Sequence, residues 1–97
     1  MLDLEKYEKE IEAICRELSL QRLDLIGSAS RDDFTRESDV DVLVTFEGNT
    51  SLFTRYFELK ERLEKLFDRP VDVIEERAIR NPYFLNAINK DKIRLYG

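Results

Sequence analysis

Three aspartates and one glycine-serine pair are the residues of this chain whose types and spacing could do chemistry. Asp39 and Asp41 stand two apart in Ser38-Asp39-Val40-Asp41, at the head of the β-prone run Val42-Leu43-Val44-Thr45-Phe46. Side chains two apart on a strand share a face, so both carboxylates would project together. Adjacent carboxylates repel, and a cation between them removes that cost. Magnesium (Mg²⁺), a hard ion that takes oxygen ligands and keeps positions open for substrate phosphates, fits such a site. Asp72, in Val71-Asp72-Val73-Ile74, is a third carboxylate set among β-branched residues. Gly27-Ser28 directly follows an apolar run. Glycine there lets the backbone turn sharply and lets a ligand approach the main chain. Amide groups at a helix start bind phosphate, and Arg31 and Arg36 flank this turn with positive charge. Taken singly, each feature also has an ordinary structural meaning: a strand-to-helix turn, strand-end charges, solvated arginines.

Composition narrows the chemistry. The chain has no histidine and a single cysteine, Cys15. That excludes a disulfide within the chain, a Cys/His zinc site and Ser-His or Cys-His nucleophilic catalysis. Proton transfer is left to carboxylates, lysine, tyrosine or water. The net charge of −5 is uneven, with 6 basic and 13 acidic side chains in residues 1–50 against 10 and 8 in residues 51–97. An acidic half that carries the Asp39/Asp41 pair raises cation affinity and disfavours nucleic acid, whose non-specific binding comes from basic patches. No apolar run approaches the ~20 residues of a membrane helix, and the charged N-terminal stretch has no secretory pattern, so a cytoplasmic protein without a membrane partner is expected. The 97 residues suit a single domain, 1–97, around one core.

The elements that must position these residues are legible from periodicity. Leu4, Tyr7, Ile11, Ile14, Cys15 and Leu18 recur at helical spacing, which predicts a helix from about Leu2 to Leu18 with Asp3 as cap and Cys15 in the core. Arg22 to Ile26 reads as a strand with Asp24 and Ile26 on one face. Ala29 to Phe34 fits a helical turn, and Asp39 to Phe46 a second, central strand ending in the turn Glu47-Gly48-Asn49. Thr50 or Ser51 can cap a long helix to Phe67, whose stripe Leu52, Tyr56, Leu59, Leu63 and Leu66 is widened by Phe53 and Phe67. Val71 to Ile74 is a third strand. Asn81 and Pro82 start a further helix, Tyr83 to Asn89, which should bury Phe84, Leu85 and Ile88. Ile93 to Tyr96 adds a last strand or an apolar tail. Helices between strands imply an α/β (α+β) fold, a small mixed sheet flanked by helices, with Asp39, Asp41 and Asp72 coming from neighbouring strands at one end.

Gly27-Ser28, ten residues, then Asp39-Val40-Asp41 resembles the signature of the minimal nucleotidyltransferases of the DNA polymerase beta-like superfamily. Arg31 after Gly-Ser, Ser38 before the aspartate pair and the later Val71-Asp72-Val73-Ile74 fit the same pattern, which spans nearly the whole chain. Asp32 departs from it, standing where many relatives have glycine. The resemblance implies transfer of a nucleoside monophosphate, AMP from ATP or the counterpart from another nucleoside triphosphate, to a hydroxyl. It assigns Gly27, Ser28 and Arg31 to the nucleotide and Asp39 and Asp41 to Mg²⁺. Asp72 completes the metal site or takes the proton from the attacking hydroxyl. Small members of the family are antitoxins encoded beside an all-helical HEPN toxin, and some place AMP on a tyrosine of that toxin. Two alternatives remain at this level: a non-catalytic antitoxin that masks its partner, or transfer to a small molecule or an RNA end.

Overall fold

The computed structural model describes residues 3–30, 35 and 38–97. A short 3₁₀ turn, Glu5–Tyr7, leads into α1 (Glu8–Glu17), followed by β1 (Leu20–Ile26), a 3₁₀ turn Gly27–Ser30, β2 (Val40–Phe46), α2 (Leu52–Phe67), β3 (Val71–Glu75), a 3₁₀ turn Glu76–Ala78, α3 (Pro82–Asp91) and β4 (Ile93–Tyr96). The strands form one mixed sheet in the order β3-β2-β1-β4. β1 runs antiparallel to both β2 and β4, while β2 and β3 are parallel and joined by α2, since parallel neighbours need a crossover rather than a tight turn.

One face of the sheet carries the main core. Alternation along the strands sends Leu23 and Leu25, Val40, Val42, Val44 and Phe46, and Val71 and Val73 against Ile11, Ile14, Cys15 and Leu18 of the α1 region and Leu59, Leu63 and Phe67 of α2. The opposite face is thinner: Ile26, Leu43 and Ile88 form a small cluster backed by Ile74 and Ile79. β2 is thus covered on both sides, which is why its sequence is almost continuously apolar after Asp41. Asp24 does share a face with Ile26. It is buried there, and its charge is matched by Arg94 Nε, which donates to Asp24 Oδ1 at 2.6 Å.

The fold class, the strand positions and the Asn81 cap follow the sequence. Asn81 Oδ1 accepts from the amides of Tyr83 and Phe84, with Pro82 in the first turn. Several local expectations are corrected. Asp3 caps nothing: Leu4 occupies the cap position before the first turn, without a side-chain bond. Ser51 sits at the N-cap of α2 but in a left-handed conformation, φ 53°, with no side-chain bond. Arg55 fastens that end instead, donating to the carbonyls of Thr50, Leu18 and Ser19 with its guanidinium over the Phe46 ring. Phe53 is not core but 77% exposed: the orientation of α2 on the sheet turns it outward, where its ring meets that of Phe57 with centroids 4.7 Å apart. Phe84 is also exposed, since α3 reaches the thin face of the sheet mainly through Ile88. The Ala29 to Phe34 helical turn is seen as Gly27–Ser30; its later part lies outside the described residues.

Candidate active site

Strand direction gathers the site. β2 and β3 are parallel, so their N-terminal ends lie side by side, and β1, running the other way, ends there too. In the registers, Ile26 is opposite Asp41, and Asp41 is opposite Asp72. The turn that follows β1 therefore starts beside the two carboxylates.

Gly27 adopts φ +68°, a left-handed conformation that suits glycine, and a Cβ built on it would meet Asp41 Oδ2 at 2.5 Å. The glycine is thus required twice, by the backbone and by the carboxylate pressed against it. Ser30 Oγ closes the turn by donating to the Gly27 carbonyl at 2.7 Å, and fully buried Ala29 plugs it into the core. Ser28 is half-buried within the turn. Arg31, Asp32 and Arg36 lie outside the described residues.

Asp41 is the electrostatic centre. Partial burial pushes its carboxyl above the usual range, and the charges of Asp72 and Asp39 and a hydrogen bond shared with Asp72 push it further the same way. Two carboxyl groups in hydrogen-bond contact require a proton or a cation between them. Asp72 is exposed, on the edge strand of the sheet. Asp39 differs from the sequence expectation, for it stands one residue before β2, exposed, rather than inside the strand. It nevertheless acts on Asp41 through its charge. Ser38 and Asp39 are held in place from the neighbouring turn: Arg69 Nη1 donates to the carbonyls of Thr35 and Ser38 at 3.2 and 3.3 Å, and the Val40 amide donates to the Pro70 carbonyl at 3.0 Å.

Among the described residues, no three His, Cys, Asp or Glu side chains group closely enough to hold a metal ion on their own. The touching pair Asp41 and Asp72, with Asp39 near enough to be felt, offers only hard oxygen donors. That chemistry fits Mg²⁺, which commonly takes one or two carboxylates and fills its remaining positions with water and substrate phosphate.

The groups that fix these strands from outside leave no direct sign in the sequence. Arg69 was legible only as a turn residue before Pro70. Lys60 and Glu64, one helical turn apart, carry an i,i+4 signal like any surface pair, yet both reach the backbone of Val71. Glu64 Oε2 accepts from the Val71 amide at 3.0 Å, and Lys60 Nζ donates to the Val71 carbonyl.

Known proteins share this sequence pattern and fold. Residues 8–95 match the model of the nucleotidyltransferase domain family. A chain from Methanocaldococcus jannaschii, named as a candidate protein adenylyltransferase, is 44% identical over 70 residues, covering 71% of this chain and 70% of the relative. Protein adenylyltransferase MntA from Thermococcus cleftensis is 34% identical over 85 residues, 84% of this chain and 85% of that one. Among solved structures, a toxin-antitoxin complex with AMP-PNP superposes with a TM-score of 0.74 at 25% identity, covering 93% of this chain and 73% of its counterpart. With its paired aspartates set beside a glycine turn, this chain belongs to the nucleotidyltransferase domain family, among the minimal nucleotidyltransferases.

Proposed function

We propose that this chain is a protein adenylyltransferase and an antitoxin: it transfers AMP from ATP to a tyrosine hydroxyl of a cognate HEPN-type toxin. The observation that carries the reading is the Asp41–Asp72 pair, opposed in parallel register beside the Gly27 turn. Its likeness to protein adenylyltransferase MntA over most of both chains supports the activity, and its likeness to a chain of a toxin-antitoxin complex solved with AMP-PNP supports nucleotide and partner. An open, edge-of-sheet site suits a bulky protein acceptor better than a small molecule.

In the reaction, the tyrosine oxygen forms a bond to the α-phosphorus of ATP as the bond to the bridging oxygen breaks and pyrophosphate leaves. Gly27 and Ser28 hold the triphosphate through the main chain of the turn, with Arg31 adding positive charge. Asp72, exposed where an acceptor can approach, receives the tyrosine proton. Asp41 and Asp72, with Asp39 adding its charge, would hold Mg²⁺, which when bound offsets the charge of the triphosphate and activates the attacking hydroxyl. The protein's own share is positioning, the dominant need in phosphoryl-type transfer.

Masking without chemistry is the second reading, favoured by four exposed aromatic side chains, Phe53, Phe57, Tyr83 and Phe84, on α2 and α3. Incubating the protein with ATP labelled at the α-phosphate, Mg²⁺ and the neighbouring gene's product separates the two. Label on the partner supports transfer; a stable, unlabelled complex supports masking.

A further inference from the structure

We propose that Lys60 and Glu64 of α2 are positioning residues that hold Asp72 in register against Asp41, an inference that rests on the reaction proposed above. β3 is an edge strand, with β2 on one side and, among the described residues, no strand on the other. An edge strand leaves a row of main-chain groups to be satisfied from elsewhere. Here α2 supplies the partners. The Val71 amide donates to Glu64 Oε2 at 3.0 Å, the Val71 carbonyl accepts from Lys60 Nζ, and the Val73 carbonyl accepts from Tyr56 Oη at 2.9 Å. Residues 56, 60 and 64 follow one another at helical steps of four, so one face of α2 lies along the free edge of β3. Lys60 and Glu64 also pair with each other at 3.4 Å. The pinned residues, Val71 and Val73, flank Asp72 on both sides.

The consequence is a matter of register. Side chains alternate along a strand, so a slip of one residue would move Asp72 to the helix-covered face and bring a valine to Asp41. On the inner side β3 is fixed by its ladder with β2; on the outer side Lys60 and Glu64 clamp both main-chain groups of the residue before Asp72. Partly exposed bonds of this kind contribute little to global stability. Their position makes them matter, because misplacing a catalytic group by about an ångström costs on the order of a hundredfold in rate.

The test uses the full chain with Lys60→Met/Glu64→Leu, and reads both metal and turnover. Mn²⁺ titration followed by electron paramagnetic resonance should show affinity weakened roughly tenfold, and kcat for AMP transfer should fall roughly tenfold with the KM for ATP within about twofold. Glu64→Gln keeps an oxygen for the Val71 amide and should stay within about threefold of wild type in both. Arg62→Met, which cuts contacts from the same helix to Glu17 and Glu58, is the control: it should leave Mn²⁺ affinity and kcat unchanged. A folded double variant with wild-type Mn²⁺ affinity and kcat overturns the proposal, as does Glu64→Gln failing as badly as the double variant. Wild-type protein that binds Mn²⁺ but transfers no AMP would overturn the reaction; weakened Mn²⁺ binding in the double variant would still support the clamp.

Discussion

Asp41 and Asp72 stand opposite each other on parallel neighbouring strands and share a hydrogen bond, with the charges and partial burial of the site raising the Asp41 carboxyl. Like charges held this close strain the fold and relax when one is removed. Asp41→Asn should therefore cut AMP transfer by roughly a hundredfold or more while leaving the melting temperature unchanged or higher. A labelling assay and a thermal melt on the same preparation check both halves.

Gly27 tests the same pocket from the other side. Gly27→Ala must place a methyl group 2.5 Å from Asp41 Oδ2, and must do so at φ +68°. A stability loss of more than about 1 kcal/mol is expected, with transfer abolished even at a temperature where the variant is folded. Denaturant unfolding gives the first and the labelling assay the second.

A divalent ion bound only by the folded state should raise the melting temperature, by about 2.7 kcal/mol of stabilisation when present at a hundred times its dissociation constant. Mg²⁺ or Mn²⁺ should do this for wild type and not for Asp41→Asn. Chelation should stop transfer and remove the increment. Differential scanning calorimetry with and without the ion is the check.

The carboxyl of Glu64 is held below the usual range, first by the Val71 amide and then by Lys60. A carboxyl depressed in the folded state adds stability above its unfolded value, near 4.5, and that addition is lost as pH falls through the lower folded value. In Glu64→Gln the fall of melting temperature with acid should be shallower below about pH 4.5 than in wild type. Melts across an acid series measure the difference.

Burial pushes the Cys15 thiol up to about 12. A thiol kept neutral and covered does not react, so iodoacetamide at pH 8 should leave native protein unlabelled and label it promptly in urea. Mass spectrometry reads the adduct.

Much of this arrangement was legible in the sequence because it rests on local rules. The stripe of α1, the alternating core of β2, and the Asn81-Pro82 start of α3 are short-range patterns, and Asp41 and Asp72 each announced themselves as charges in β-prone runs. Parallel pairing of β2 with β3 is what brings them together. What escaped were matters of tertiary fit. Phe53 has the spacing of a core residue's neighbour, and only the orientation of α2 on the sheet turns it outward. Asp39 lies before β2 because the strand begins where it meets Pro70, a contact from a distant turn. Lys60 and Glu64 have the i,i+4 spacing of any surface ion pair, and only the free edge of β3 lying beside them gives them a main chain to hold. Arg31 lies outside the described residues.

The most direct test of the central claim is the intact mass of the cognate toxin after incubation with this protein, ATP and Mg²⁺. The account predicts a toxin heavier by one or more AMP groups, mapped to tyrosine, and an unmodified toxin when Asp41→Asn replaces the wild type. A toxin that is silenced while its mass stays unchanged would contradict it.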